Sequence, residues 1–520
     1  MPVSQFFIYK TSVLYLVIPI LFFFLGWLRL GIGILLSALL LLATFLFFKS
    51  MKNAETSNDF IVLTKEYFIA FIILFLFLLS TGNTGFLGCW SYDIPWRNAI
   101  YQDMIHQSWP VIYEYSHSML CYYMAFWLVP AAISSWLNLG ELGSNIVLLL
   151  WMYLGLILIF FLLCDILKPK KEYVVLVTIL FLFFSGINMF GVILTAIVTK
   201  PDPIIADYPA RIGWDFSTWT INGFHAIYFM RSIYLCIADI YNQFFDIAIV
   251  TLLFLKFRYS TEYYAFVGLL LLPYSPIGFI GVFMVELLEY IVNAIHYKEL
   301  KSLKLYFKQS LSHINILTIL TILPVFYLYF SMNYHATNLL TENTGESFGF
   351  LYVPLSQYNA FRITLMIMYY SFYFGIYARL LYEDFKKQSL YWIVLFCLII
   401  IPFFRIGSGE DLNLNATIPS YLILLYFIIK QLLNALDNHC FRLKDLILVF
   451  CLSIAILTPV IQISTSFRGA YLSNSISQRW SPWNALLIQD SFRDKKIDGL
   501  RNFMSDSYEN SLFNKYFAKK

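Results

Sequence analysis

Charge is scarce in this chain: only 13% of its 520 residues are Asp, Glu, Lys or Arg, against about 25% in soluble domains. With 60% hydrophobic residues and a mean hydropathy of +0.71, that scarcity excludes a soluble fold and predicts an integral membrane protein. Net charge is only +4 and no basic block resembles a nucleic-acid footprint, so no nucleic-acid partner is expected. Cysteine is sparse too, at seven residues with neither a C-x-x-C pair nor metal-ligand spacing. Cys164, Cys397 and Cys451 lie inside apolar runs as ordinary buried thiols. Cys89 and Cys121 could meet outside the membrane.

Motifs for soluble cofactors are missing as well. No G-x-x-x-x-G-K-[ST] occurs, which excludes a P-loop ATPase, and no H-E-x-x-H occurs. "GIG" and "GSG" lack the third glycine of a dinucleotide site. There is no D-x-D and no soluble domain to hold a nucleotide sugar, so any activated group is expected to arrive in the lipid. The first apolar stretch is too long for a cleavable signal peptide and lacks a small-residue cleavage site.

What is present is hydrocarbon in long runs, near 13–30, 31–48, 66–81, 145–167, 173–197, 236–255, 263–275, 276–295, 314–331, 363–379, 389–404, 419–434 and 446–463. The reading is an all-α polytopic protein of about thirteen transmembrane helices. The pair 263–275 and 276–295 meets at Pro273–Pro276 and reads as a broken hairpin. Lysines cluster in alternate loops, as in "KPKK" at 168–171 and "YKELKSLKLYFK" at 297–308. The positive-inside rule makes those loops cytoplasmic, provided that 119–137 does not cross. The large loops 82–144, 198–235, 332–362 and 405–418 and the tail 465–520 then face outward. The expected organisation is one membrane domain, 1–464, with an external polar segment, 465–520.

Polar chemistry concentrates in the first external loop, "CWSYDIPWRNAIYQDMIHQSWPVIY" at 89–113. Asp93 followed by Pro95 reads as the start of an interfacial helix, and a helix cap is its structural role. A cap leaves Arg97, Asn98, Asp103 and His106 unexplained. The chemical role is a general base at a lipid–water boundary, taking a proton from an acceptor hydroxyl. Arg97, one turn on, would orient Asp93 or clamp a phosphate. Asp103 and His106 are further candidates, weighed against solvated positions on an interfacial helix.

An external loop led by an aspartate and followed by aromatic interfacial helices resembles the GT-C superfamily of glycosyltransferases. "DIPWRNAIYQDMIHQSWPVIY" with "YYMAFWLVPAA" (122–132) is similar to a group of multi-spanning proteins from bacterial envelope-polysaccharide clusters. "FSGINMFG" (184–191), "YNQFFDIAI" (241–249), "YSPIGFIG" (274–281) and "SLFNKYFAK" (511–519) also look like that group. The resemblance implies a polyprenyl-phosphate sugar as donor, with Asp93 matching the catalytic aspartate. Two extra spans precede this loop. Asn188 stands where the related pattern carries an acid, and Asn415 where it carries an arginine.

Other external residues are candidates by chemistry. A phosphate leaving group gathers charge and calls for cations; Arg405, Arg468 and Arg479 sit near span ends, where snorkelling is the structural alternative. "RIGWDFSTWTINGFH" (211–225) offers Trp214, Asp215 and His225 as sugar or acceptor contacts, against an interfacial aromatic belt. Glu410 beside Asp411 could hold a divalent cation, against a solvated turn. "RWSPWNALLIQDSFRDKK" (479–496) reads as a helix resting on headgroups. The expected reaction is an inverting transfer of a hexosyl or deoxyhexosyl group to a cell-envelope glycan or lipid-linked acceptor. It would occur on the outer face of a bacterial cytoplasmic membrane. The rivals are a flippase or transporter of a lipid-linked polysaccharide intermediate, kept open by Asp239, Asp246, Glu286 and Glu289 in or near apolar runs, a glycan ligase, and a non-catalytic assembly partner.

Overall fold

Long apolar runs can satisfy their main-chain N–H and C=O groups in lipid only by coiling on themselves, and helix dominates this chain accordingly. The computed structural model describes residues 2–54, 60–84, 86–87, 94–114, 117–187, 230–296, 300–333, 349–350, 360–406, 411–472, 502–505 and 508–519. Among them, seven helices are long and apolar enough to cross a membrane.

Strand β1 (Pro2–Ser4) leads into α1 (Gln5–Trp27), capped by the Ser4 hydroxyl, which accepts from the Phe7 N–H at 3.2 Å. Helix α2 (Leu30–Ala54) runs back, and β2 (Phe60–Val62) pairs antiparallel with β1. Next come α3 (Lys65–Ser80), α4 (Ile94–His106), the short antiparallel pair β3 (Ile112–Tyr113) and β4 (Ser118–Met119), α5 (Ala125–Trp136) and α6 (Glu141–Leu167).

Ring contacts fix the sense of these helices. Tyr67 of α3 packs on Phe160 of α6 at 5.8 Å, and Phe75 on Tyr153 at 5.1 Å. The two helices are therefore antiparallel, and Ser80 and Glu141 lie at one end. Between them α5 spans only about 18 Å, short of the roughly 30 Å of a bilayer core. It starts inside the protein, where Phe126 stacks on Phe245 at 5.8 Å, and ends at Trp136, which is 72% exposed. The segment 119–137 thus enters and leaves at the same end.

The chain continues with α7 (Val174–Leu182), α8 (Ile233–Asp239), α9 (Tyr241–Phe257), α10 (Tyr264–Leu269), α11 (Pro276–His296), α12 (Leu300–Ser310) and α13 (His313–Phe330). Helix α10 is about 9 Å long and turns back through Pro273–Pro276. A Cβ on its Gly268 would sit 2.6 Å from Glu286 Oε2 on α11, so α10 and α11 do form the hairpin read from sequence. After β5 (Gly349–Phe350), α14 (Ala360–Tyr370) passes through one π-helical turn, Ser371–Gly375, into α15 (Ile376–Phe385). The remainder is α16 (Ser389–Ile400), β6 (Phe404–Arg405), α17 (Asp411–Ala416), α18 (Ile418–Asp437), α19 (Leu443–Ala455), α20 (Leu457–Leu472) and α21 (Leu512–Tyr516).

Helices α17 and α18 form the buried axis of the protein. Gly281 lets α11 approach it: a Cβ there would lie 2.1 Å from the Ala416 carbonyl oxygen. Large apolar side chains that remain exposed, such as Leu35, Phe45 and Ile72, stand on the outward faces of α2 and α3, where lipid would cover them.

The two ends differ in their cations. One end ties lysines to acids, with Lys256 on Asp165 at 2.9 Å and Lys170 on Asp437 at 2.8 Å. Arg442 there holds Asp384 at 3.0 Å and Asp445 at 3.1 Å. The opposite end carries Arg29 at the α1–α2 turn and Arg97 on α4, with Lys515 and Lys519 beside Arg29 and Trp27.

Candidate functional site

Helix α4 carries both polar and apolar residues on its buried side. Arg97, Asn98 and Asp103 are as enclosed as Ile100 and Met104, with Arg97 only 6% exposed. A guanidinium shut away from water must be held by charge or π-faces, and its surroundings are aromatic. The charge of Arg97 bears on the hydroxyls of Tyr122 and Tyr241. Tyr241 accepts a hydrogen bond from Trp127 Nε1 at 3.1 Å and donates to Asn98 Oδ1 at 3.5 Å. Tyr122 stacks near Trp127, with centroids 6.4 Å apart, and touches Tyr123 at 3.6 Å. Burial above all, then Tyr123, pushes the Tyr122 phenol well above its ordinary range, while Arg97 opposes that shift. The result is a packed, arginine-centred group of side chains, the arginine chamber, at the end opposite the lysines.

Asp411 joins this chamber from α17, because it too acts on Tyr122. It is exposed. Glu410, its neighbour in the divalent-cation reading, lies outside the described residues, as do Asp93, Trp214, Asp215, His225 and Arg479. No group of three or more His, Cys, Asp or Glu side chains is placed to hold a metal ion among the described residues.

The remaining sequence candidates fall in different places. Asp103 faces the interior and accepts from the Tyr113 hydroxyl at 2.8 Å, tying β3 to α4; burial first, then Asp103, raises the Tyr113 phenol. His106 ends α4 with its side chain exposed. Arg405 is half-buried on β6, paired with Gly349. A Cβ at Gly349 would stand 2.6 Å from Arg405 Nε, so glycine makes room for the guanidinium. Arg468 is exposed on α20, two residues beyond Ser466, whose hydroxyl donates to the Ser80 carbonyl at 2.7 Å.

One cation escaped the sequence reading. Arg231 is buried before α8, its Nε 3.5 Å from Asp239 Oδ2 and its Nη1 donating to Asn415 Oδ1 at 3.2 Å. The signal was there: an arginine directly ahead of an apolar helix that ends in an acid. Asn415, noted for standing where a related pattern has arginine, receives a guanidinium from elsewhere in the chain. Ile240, with φ −128° and ψ 38°, breaks the run between α8 and α9. The break sets Asp239 of the Arg231 group next to Tyr241 of the Arg97 group.

The chain's last residues roof the chamber. Cys121 N–H donates to the Phe503 carbonyl at 2.9 Å, and Ser505 N–H to that of Met119 at 2.9 Å. The Phe503 ring then meets Tyr122 edge-on at 4.8 Å. Farther on, Arg29 Nη2 donates to the Lys515 carbonyl at 2.5 Å and Lys519 N–H to that of Trp27 at 2.8 Å.

Compared with protein-family models, curated proteins and solved structures, the chain finds no match.

Proposed function

We propose that this protein is an inverting glycosyltransferase of GT-C type, with about thirteen membrane-spanning segments. It would move a sugar from a polyprenyl-phosphate donor to a cell-envelope glycan or lipid-linked acceptor. The arginine end would face outward from the bacterial cytoplasmic membrane. The observation that carries this reading is Arg97: a buried guanidinium whose charge bears on the phenols of Tyr122 and Tyr241, on the helix that follows Asp93. The positive-inside rule supports the orientation, since the lysine-rich loops gather at the other end.

In the proposed step Asp93 takes the proton of the acceptor hydroxyl as that oxygen attacks the anomeric carbon. The bond from that carbon to the phosphate oxygen breaks, and the lipid phosphate leaves with the electron pair. Arg97, with Arg231 and Arg405 on neighbouring elements, supplies positive charge where the phosphate becomes more negative. The aromatic faces suit a sugar ring. The donor's isoprenoid stays in the bilayer, so the reaction belongs at its surface.

Purified protein in liposomes, offered radiolabelled polyprenyl-phosphate sugars, tests the reading. Transfer by the native chain that is lost in Asp93→Asn and reduced at least tenfold in Arg97→Ala supports it. Undiminished turnover in Asp93→Asn removes the base assignment. The rival reading as a flippase draws on the acids buried in the spans, Asp246 and Glu286. It predicts translocation of a labelled lipid-linked glycan without new bond formation.

A further inference from the structure

The sugar-transfer reading leaves one buried cluster unused, in the first two turns of α9. Asn242, Gln243 and Asp246 interrupt an otherwise hydrocarbon helix, and all three are buried, Asn242 and Asp246 at 0% exposure. Gln243 is satisfied, its Oε1 accepting from Ser275 Oγ at 2.7 Å. Asn242 and Asp246 are not. Among the described residues, no other residue hydrogen-bonds either amide atom of Asn242 or either carboxylate oxygen of Asp246. One helical turn separates the two, so four unsatisfied polar atoms share one face of α9.

The nearest phenols do not relieve them. Tyr15 of α1 and Tyr274 of the α10–α11 turn both lie within electrostatic range of Asp246. Each sends its proton elsewhere, Tyr15 to the Trp151 carbonyl at 3.3 Å and Tyr274 to that of Leu16 at 2.5 Å. Their oxygens keep lone pairs. Of the other acids on neighbouring elements, Asp239 lies against Arg231, Asp165 on Lys256 at the lysine end, and Glu289 accepts from Ser389 Oγ at 3.2 Å, while Glu286, beside Gly268 on α11, is buried with its Oε1 also unsatisfied. A bare carboxylate in such a place costs several kcal/mol. Among the described residues no side chain neutralises it.

Depth and backbone fit an ion. Leu16, which anchors Tyr274, is the midpoint of the span-length helix Gln5–Trp27, so Asp246, within electrostatic range of Tyr274, lies near the level of the middle of that helix. Two breaks flank it, at Ile240 and at Pro273–Pro276. Interrupted helices at the midplane are how membrane proteins assemble ion sites. One carboxylate, an amide oxygen and phenol oxygens form a hard, singly charged donor set.

We propose that Asp246 and Asn242 form a binding site for a sodium-sized monovalent cation that exchanges with a proton. Either Asp246 is a neutral acid or its carboxylate holds the cation, and each cation bound releases one proton. Tyr241, the first residue of the same helix, lines the arginine chamber. Cation occupancy is therefore placed to bear on that chamber through α9.

The test needs no sugar donor, so its outcome is separate from the fate of the transferase reading. Infrared difference spectra of the protein in liposomes are recorded at fixed pH while choline is replaced by sodium. A weakly buffered dye follows released protons. The expected result is loss of a carboxylic acid band with gain of a carboxylate band, and about one proton released per chain. The change should vanish in Asp246→Asn and need roughly tenfold more sodium in Asn242→Ala. A native protein showing neither band change nor proton release overturns the proposal, because the acid is then permanently protonated. The same spectrum in Asp246→Asn overturns it equally, by placing the signal elsewhere. Should Asp246→Asn fail to fold, an unshifted sodium dependence in Asn242→Ala decides against the site.

Discussion

Arg231 Nη1 reaches Asn415 Oδ1 at 3.2 Å, while its Nε faces Asp239 Oδ2 at 3.5 Å. This guanidinium joins two buried elements, α8 and α17, and among the described residues Asp239 is the acid it pairs with. Removing one partner leaves the other ion buried and bare, which costs about 3–5 kcal/mol. Arg231→Ala and Asp239→Ala are each expected to lower the melting temperature in detergent sharply. The double variant should recover part of the loss. Additive losses would show that the two charges are not coupled.

Tyr113 and Asp103 make the polar bond that fastens β3 to α4. Tyr113→Phe keeps the ring and strips the donor from a buried carboxylate, a loss of about 1–3 kcal/mol. Asp103→Asn, which can still accept from the phenol, should cost less. Denaturant or thermal unfolding of the two variants gives the order. If sugar transfer survives in Asp103→Asn, the residue is structural.

The helical, membrane-spanning character could be read from the letters alone, because hydrocarbon runs obey solvent physics directly; of the roughly thirteen spans expected, seven span-length helices stand among the described residues. The α10–α11 hairpin was visible in Pro273–Pro276, and the single-sided excursion of 119–137 in the charge balance. Asp103 was flagged as a polar residue on an interfacial helix, yet its partner Tyr113 could not be named, since a two-stranded turn brings them together. Arg231 was passed over in part for the same reason. Asp239, eight residues on, was within reach of a local pattern, whereas Asn415 is 184 residues away and no local pattern encodes a contact of that span. Nor did the apolar run at 236–255 disclose that a break at Ile240 divides it.

Gly281 illustrates a constraint that pattern reading misses. Its Cα lies against the Ala416 carbonyl so closely that any side chain would collide, the Cβ standing at 2.1 Å. Main chain cannot swing aside as a flexible side chain can. Gly281→Ala is expected to push α11 off the buried axis and destabilise by about 1–3 kcal/mol. Gly31, with nothing near its added Cβ, is the control: Gly31→Ala should leave stability unchanged or slightly raised. Equal behaviour of the two variants would show that α11 and α17 are not in close contact.

The roof over the chamber gives a readout of both packing and sidedness. Cys121 is buried beneath residues 502–505, with its N–H bonded to Phe503. Cys440 is exposed beside Arg442 at the lysine end. In a chain whose other cysteines are replaced by serine or alanine, full-length protein should react with maleimide at Cys440 alone once membranes are opened. Deleting residues 502–520 uncovers the strand at 118–121, and Cys121 should then become reactive. An impermeant maleimide added to intact cells separates the ends: with the arginine end outward, it labels Cys121 of the truncated chain and spares Cys440. Labelling of Cys440 under those conditions would turn the molecule over. It would place the arginine chamber in the cytosol, where the proposed extracytoplasmic transfer could not occur.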